Sequence, residues 1–338
     1  MRVRGAAGFT PGPHVGTMVS NVRALLAQGY GSPASQLVLG EAPEPRLASD
    51  PSRPQVLVRM RAAALNPFDL KLLSGAFQGG SSVEFPYVLG MDGAGTVDAV
   101  GEGVDGVAVG DDVLGFFGRT PGTIAELALL DAGYLAPLPA GLDPLAAAAL
   151  PESGITAKTL LRAVEPAAGQ SLLVIGATGG VGMFVVQLAR AAGVEVLATA
   201  GPAEAAYVLG LGAAHALDYT SEDPAELALA VHPEGVDALI DLVNGGDAVL
   251  KSAQALRPGG NFASPLGGPE DLGRGIRASY VSLTLLPGDL EDLATRAAAG
   301  SLRVEVSRVY PFAEAAQAFE DFASGHTRGK LVVDLGAS

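Results

Sequence analysis

The 338-residue chain predicts an α/β protein in two parts, a barrel-like β unit followed by a doubly wound parallel-sheet unit. Three observations carry this expectation. From about Arg23 to Pro137 the chain reads as short strands broken by turn residues. Near Leu138 the texture becomes alanine-rich and helical, and from Leu172 short apolar runs alternate with helical patterns, the mark of a parallel sheet. At the head of that alternation stands a glycine-rich turn, within "LLVIGATGGVGMFVVQLARAAGVEVLATAG", residues 172–201.

The elements follow in order. In "QVLVRMRAAAL" Val56, Val58 and Met60 fall on one face and Leu57, Arg59 and Arg61 on the other, a strand period. "GTVDAVGEGVDGVAVGDDVLGFF" then repeats strand, glycine turn and strand. "PAGLDPLAAAALPESGITAKTLLRA" has a helical pattern punctuated by prolines. The parallel strands are expected at Leu172 to Ile175, Val194 to Ala200, His215 to Leu217, Ala238 to Leu242 and Gly260 to Ser264. The tail, "LEDLATRAAAGSLRVEVSRVYPFAEAAQAFEDFASGHTRGKLVVDL", reads as helix, strand, helix and a last strand that returns to the first unit. The expected divisions are a flexible leader at 1–17, a catalytic unit at 18–141 completed by 286–338, and a cofactor-binding unit at 142–285.

The glycine turn lies where strand becomes helix, with the spacing Ala177-x-Gly179-x-x-Gly182, so an alanine stands at the first glycine of the usual fingerprint. Backbone N–H groups at a helix start can meet a pyrophosphate there. A lone glycine fingerprint is weak, but here Gly193 and the strand to Ala200 complete a βαβ unit of about thirty residues. Ala177, Thr178, Gly179, Gly180, Val181 and Gly182 are therefore candidate cofactor contacts.

Composition narrows the function classes. Lys plus Arg number 21 against 36 Asp plus Glu, a formal charge of -15, which disfavours a nucleic-acid surface. Absence of cysteine removes disulfides and thiolate metal sites together and is compatible with the cytoplasm. With 49% apolar residues, only 5% aromatic and no Trp, the core must be built largely from Ala, Val and Leu. "MRVRGAAGFTPGPHVGT" lacks the apolar stretch of a signal peptide, and Met18 is an alternative start. No apolar run reaches the roughly eighteen residues needed to span a bilayer.

Several ordered segments, "AALNPFDLKLLSG", "VLGMDGAGTVDAVGEGV", "VGDDVLGF", "GITA", "VIGATGGVGMFVVQLA", "LGAAHALDY" and "GHTRGKLVVDL", together resemble the zinc-free medium-chain dehydrogenase/reductase superfamily, near its quinone oxidoreductase branch. The resemblance covers most of residues 20–335. It implies a GroES-like β-barrel catalytic domain interrupted by a Rossmann domain, with a cleft between them where nicotinamide meets substrate. Zinc-dependent relatives use a cysteine, a Gly-His-Glu motif and a further ligand. Here the motif reads Gly90-Met91-Asp92, and His14, His215, His232 and His326 are scattered, so no metal is expected. Without a Lewis acid, hydride transfer to a quinone or activated alkene is easier than alcohol oxidation, because charge spreads over an enolate or aromatic system.

The second parallel strand ends at Thr199, Ala200 and Gly201 with no carboxylate to bind the ribose hydroxyls of NAD, which favours NADPH over NADH. Glu204 lies past the strand end, and Tyr207 is a nearby polar group. In "LNPFDLKLLSG" Asn66, Pro67 and Asp69 make a well-formed helix start. By resemblance Asn66 and Asp69 also stand beside nicotinamide and substrate, as positioning residues. Resemblance further assigns Thr156, and Leu266 with Gly267, to the nicotinamide side. Val243 and Asn244 follow the fourth strand at a ligand-facing end. Lys330 either reaches a cofactor phosphate or flanks an edge strand, with the edge favoured. Some relatives place a tyrosine where this chain has Phe77, so no phenol donor is expected there; Tyr87 and Tyr280 read as packed side chains, and the sequence names no general acid, with water one source of the proton.

The resulting expectation is an NADPH-dependent reductase of quinones or α,β-unsaturated carbonyls. It acts on a small molecule, with no nucleic-acid or membrane partner, and pairs as a homodimer through sheet edges in "RASYVSLTLL" from Arg277. The alternatives are a dedicated enoyl reductase acting on a biosynthetic intermediate and a dinucleotide-binding protein with little turnover.

Overall fold

A computed structural model describes residues 20–50, 52, 54–78, 83–116, 122–325 and 327–336. The expected leader, Met18, His14 and His326 lie outside the described residues. Chain order begins with β1 (Asn21–Ala27), α1 (Pro33–Gln36), β2 (Leu37–Pro43), β3 (Gln55–Ala64), α2 (Pro67–Leu73), β4 (Tyr87–Val88), β5 (Asp92–Val100), β6 (Asp112–Phe116), β7 (Leu127–Asp131) and β8 (Leu135–Pro137). Next come α3 (Pro144–Ala148), α4 (Pro151–Val164), β9 (Ser171–Ile175), α5 (Gly180–Ala191), β10 (Glu195–Ala200), α6 (Ala205–Gly210), β11 (His215–Asp218), α7 (Pro224–Val231), β12 (Val236–Asp241), α8 (Val249–Ser252), β13 (Leu256–Ser264) and β14 (Arg277–Tyr280). The last elements are α9 (Asp289–Ala298), β15 (Val306–Pro311), α10 (Ala315–Ser324) and β16 (Lys330–Asp334).

Strands β9 to β14 form one parallel sheet in the order β11-β10-β9-β12-β13-β14, the doubly wound arrangement. Both faces are covered, which is why its central strands β9 and β12 are mostly apolar. On one face Val174, Val196 and Ile240 pack with Ile155, Leu160, Val185 and Val186 of α4 and α5. On the other, Leu173, Leu197 and Leu239 pack with Ala225 and Ala228 of α7 and Val249 of α8. Each fully buried Val or Leu contributes about 1.5–3 kcal/mol.

The first half and the tail share a second sheet in the order β15-β16-β3-β5-β6-β8, with β7 also on β3. Val56, Val58 and Met60 cluster with Val97, Val113 and Leu130, as the alternation in β3 requires. The tail does return: Val332 pairs with Ala64 and Val333 with Ala63. A small third sheet, β2-β1-β4, is antiparallel. No helix among the described residues is long and apolar enough to cross a membrane.

Two expectations change. The "RASYVSLTLL" segment is a strand only to Tyr280, where β14 edges the parallel sheet. Beyond it, Thr284 is held by Thr159, whose hydroxyl lies 3.2 Å from both its N–H and its carbonyl oxygen, so Val281 to Leu285 line a cleft in place of extending the edge. Lys330 is not on an edge either, because β16 runs between β15 and β3.

Candidate active site

The glycine turn explains its own alanine. The left-handed backbone that turns the chain out of β9 falls on Gly176, at φ +87°, one residue before Ala177, so position 177 needs no glycine. Gly182 is the close-packing position, since a Cβ there would meet the Gly176 carbonyl oxygen at 2.2 Å and Ala177 Cα at 2.7 Å. Gly179 differs. It caps α5 with φ -77°, and a Cβ there would find only the Gly176 carbonyl oxygen, at 3.6 Å. The space over Gly179 is therefore open beside the first-turn N–H groups of α5, which have no partner within the helix. An anion fits that cradle, drawn by the N–H groups and the helix dipole.

The tail passes directly over this turn. Gly329 N–H donates to the Thr178 carbonyl at 2.8 Å, and Gly329 bridges Gly179. That crossing brings Arg328 and Lys330 to the turn. The Arg328 and Arg303 guanidiniums lie 5.1 and 5.3 Å from the centre of the Tyr207 ring, and both pair with Glu305. Tyr207 is buried on α6 with its hydroxyl 3.9 Å from Met183 Sδ, and burial pushes that hydroxyl's pKa up to about 12. At the end of β10, a Cβ on Gly201 would lie 3.9 Å from the exposed Tyr219 hydroxyl.

A cleft of about 980 Å³ runs from Gly179, Gly180 and Val181 to a wall of Phe68, Phe77, Phe116, Tyr134 and Phe322, bounded by Thr156, Leu266 and Val281 to Leu285. Met91, Glu152, Ser153 and Lys330 line its floor. It is of the size and apolar character that holds small molecules.

Behind that floor lies a buried charge network. The Lys330 ammonium, 4% exposed, donates to Asn66 Oδ1 and to Ser153 Oγ, the latter at 3.2 Å, and stands 3.6 Å from Asp92 Oδ2. The Asn66 amide donates to Asp92 at 3.0 Å. Asp92 accepts the Glu152 N–H at 2.9 Å, which places a carboxylate against the first turn of α4 and ties the barrel to the helix entering the parallel sheet. Asp69 accepts the N–H groups of Asn66 at 3.0 Å and Gly90 at 3.1 Å. Burial pushes the Asp69 carboxyl up to about 7 against the pull of those hydrogen bonds, and it raises Asp92 as well against the pull of Lys330.

This donor set does not fit zinc. Around the Gly90-Met91-Asp92 turn stand a thioether, an amide and a buried ammonium, and an ammonium within 3.6 Å of the Asp92 carboxylate repels a dication. No three His, Cys, Asp or Glu among the described residues gather to hold a metal.

Of the residues singled out in the sequence, Thr156, Gly179, Gly180, Val181, Leu266 and Lys330 line the cleft together. Ala177, Thr178 and Gly182 form the turn beneath it, and Thr199 Oγ1 accepts the Gly176 N–H at 3.0 Å, bracing the turn from below. Ala200 and Gly201 end β10, and Gly267 takes a left-handed turn at φ +76° beside Leu266. Val243 is exposed, while the Asn244 amide is spent on Asp241 at 2.9 Å and Ser252 at 3.3 Å. Asn66 and Asp69 are buried in the network beneath the cleft, where the Asn66 side chain bonds Asp92 and Lys330 and Asp69 accepts the N–H groups of Asn66 and Gly90. Sequence reasoning missed Ser153, Phe116, Tyr134, Phe322, Arg303, Arg328 and Tyr219. Three of these had a signal, as members of the segments quoted for the family resemblance: Phe116 at the end of "VGDDVLGF", Tyr219 at the end of "LGAAHALDY" and Arg328 within "GHTRGKLVVDL".

Comparison with known proteins accords with this geometry. Residues 52–140 match a family described as "Alcohol dehydrogenase GroES-like domain" and 211–333 one described as "Zinc-binding dehydrogenase". The chain is 31% identical over 331 residues to a quinone oxidoreductase of Lama guanicoe, covering 93% of this chain and 98% of that one. It is 32% identical over 291 residues to an NADPH-dependent alkenal/one oxidoreductase of Arabidopsis thaliana, covering 82% and 72%. It is also 33% identical over 329 residues to the polyketide synthase protein NorB of Streptomyces orinoci, of which it spans only 14%. Among solved structures, the quinone oxidoreductase of Coxiella burnetii superposes with a TM-score of 0.83 at 30% identity, covering 94% of this chain and all of that one. The Escherichia coli quinone oxidoreductase complexed with NADPH does so at 0.82 and 26%, covering 92% and 99%. With its parallel-sheet unit joined to a mainly antiparallel one, its glycine cradle and its cleft, the chain belongs to the medium-chain dehydrogenase/reductase superfamily as a quinone oxidoreductase-like member.

Proposed function

We propose that this protein is an NADPH-dependent reductase, working without zinc as a cytoplasmic homodimer, that delivers hydride to a quinone or an α,β-unsaturated carbonyl. The observation that carries the reading is the single cleft joining the open cradle over Gly179 to an apolar, aromatic-lined chamber. When bound, a reduced nicotinamide supplies the hydride. The N–H groups opening α5 would hold its pyrophosphate, Thr156 and Leu266 its nicotinamide end, and Ala200, Gly201 and Tyr219 its adenosine ribose. The apolar wall keeps water from the hydride path, and Lys330, Asn66 and Asp92 hold the floor in place by their mutual bonds.

NADPH is favoured over NADH on two grounds. β10 ends at Ala200 with no carboxylate to repel a 2′-phosphate. The cations absent from the stretch after β10 are supplied by the tail, as Arg303 and Arg328 against Tyr207 of the next helix. The homodimer reading rests on the outer edge of β14. The likeness to a segment of NorB supports the second reading, a dedicated enoyl reductase, and an enoyl-thioester in the substrate panel decides between them.

The test follows loss of nicotinamide absorbance with NADPH and with NADH on a quinone, an enone and an enoyl-thioester. Turnover with NADPH on quinone or enone is the expected result. Preference for NADH overturns the cofactor assignment, and tight NADPH binding with no turnover points to a binding protein. Arg328→Ala is expected to raise the Kd for NADPH about tenfold, one charge-assisted contact, and to leave that for NADH within about twofold.

A further inference from the structure

Aromatic residues make up 5% of the chain, yet among the described residues they supply five of the 27 that line the cleft, so the wall is enriched in them well beyond their share. Four of them are arranged as two pairs. Phe68 and Phe77 stack with ring centroids 5.0 Å apart and planes at 27°, and both remain 38% exposed on the cleft side. Phe116 and Tyr134 meet at 4.8 Å and 50°. Phe184, Phe262, Phe319 and Tyr310 are fully buried, so two adjoining aromatic rings left part-exposed on a cleft wall form an apolar surface suited to a ligand. Phe68 is the second residue of α2 and Phe77 follows that helix by one turn, so a single short segment presents two nearly parallel rings.

We propose that Phe68 and Phe77 are specificity-determining residues, a stacking platform that selects flat, fused-ring conjugated acceptors over short aliphatic enals. This deepens, and rests on, the reductase reading above. The physical argument is area and quadrupole together. A planar ring system laid on an existing stacked pair buries a whole face and gains offset-stacking contact, whereas a short enal covers a fraction of one ring. The platform adds no chemistry of its own: hydride and proton still convert the bound carbonyl system to its reduced form, and the rings act in binding and orientation.

The experiment measures KM and kcat with NADPH for three probes: a two-ring naphthoquinone, a single-ring benzoquinone and trans-2-hexenal. These are taken on the unmodified protein and on Phe68→Leu, Phe77→Leu and Phe77→Tyr. The expected result is a kcat/KM for naphthoquinone at least tenfold above that for hexenal. Either leucine variant should raise the naphthoquinone KM about five- to tenfold with kcat less affected, and should lower the naphthoquinone-to-hexenal ratio of kcat/KM by the same factor. Phe77→Tyr, which keeps a ring, should retain the preference. Equal use of hexenal and naphthoquinone, or leucine variants that alter both in parallel, overturns the platform. Should NADPH bind and no probe turn over, the reductase reading fails. The platform is then judged by the equilibrium Kd for naphthoquinone, which must still rise in the Phe68→Leu, Phe77→Leu double variant for the proposal to stand.

Discussion

Two glycines three residues apart do different work, and substituting each separates binding from folding. Gly179 has an ordinary φ of -77° and a Cβ there meets nothing closer than 3.6 Å, so the backbone and the first side-chain atom of Gly179→Val fit without displacing the turn. Its branched side chain instead fills the cradle over the first turn of α5. Two backbone N–H bonds to a charged phosphate, each of about 1.5–3 kcal/mol, would be lost. Affinity for NADPH should fall by about 10²- to 10⁴-fold, with little change in Tm. Gly182→Ala is the reverse. Its Cβ would sit 2.2 Å from the Gly176 carbonyl oxygen and 2.7 Å from Ala177 Cα, both main-chain atoms, so helix and strand must part. Overpacking of this kind costs about 1–3 kcal/mol, and at about 2–4 °C per kcal/mol for a chain of this size the midpoint should drop by several degrees. NADPH fluorescence titration and thermal unfolding on the two variants read both effects. An affinity for Gly179→Val within about threefold of the unmodified protein, or equal Tm losses in the two, would refute the assignment of the cradle.

Three further outcomes follow from the buried network and the sheet edge. Lys330→Met leaves Asp92 buried without its cation, and removal of one partner of such a pair costs about 3–5 kcal/mol; thermal unfolding should show a midpoint lower by about 6–20 °C, and no shift would mean the ammonium does not compensate Asp92. Asp69 binds its proton more tightly folded, at about 7, than its ordinary 3.8, so the folded state carries the extra proton between those values. That contribution to stability is complete below about pH 4 and is lost as pH rises through 7; urea unfolding from pH 5 to pH 8 should show a decline on the order of a few kcal/mol, which Asp69→Asn makes shallower while the raised Asp92 keeps its own part, whereas equal slopes in the two proteins would contradict it. Light scattering should give twice the chain mass, and a monomer would dismiss β14 as a subunit edge.

The parallel strands were legible because both faces of a covered sheet must be apolar, so Leu172 to Ile175 and Ala238 to Ile240 announce themselves over a few residues. The glycine turn was legible for the same local reason, although the residue that turns the chain, Gly176, lies just outside the fingerprint as it is usually counted. Lys330 was misplaced because its environment is not local. Only the docking of β16 between β15 and β3 buries it, and its partners Asn66, Asp92 and Ser153 come from three other parts of the chain. The aromatic wall was hidden likewise: Phe68, Phe116, Tyr134 and Phe322 are single residues in unrelated segments, and nothing in their spacing brings them together. Asn66 and Asp69 were legible as a helix start, with Asp69 reaching back to the Asn66 N–H, but the burial of both side chains among Asp92, Gly90 and Lys330 was not, because those partners come from distant parts of the chain.

The network also bears on which acceptors the cleft can serve. Hydride arriving at a conjugated carbon drives negative charge to the carbonyl oxygen, and something must hold it. Lys330 is the nearest cation to the floor, yet its ammonium is taken up by Asn66, Ser153 and Asp92, so its field is largely answered within the protein. Lys71 lines the cleft but is exposed, where water screens it. The remaining wall groups that donate are hydroxyls, Ser153, Thr156, Ser282 and Thr284 among them. A neutral hydroxyl suffices for an oxygen whose charge is already spread around a ring, and serves poorly an oxygen that must carry nearly all of it, as in alcohol–aldehyde chemistry. On the proposed function, the electrostatics of the floor and the stacked Phe68 and Phe77 rings would therefore favour the same class of acceptor, by independent physical routes.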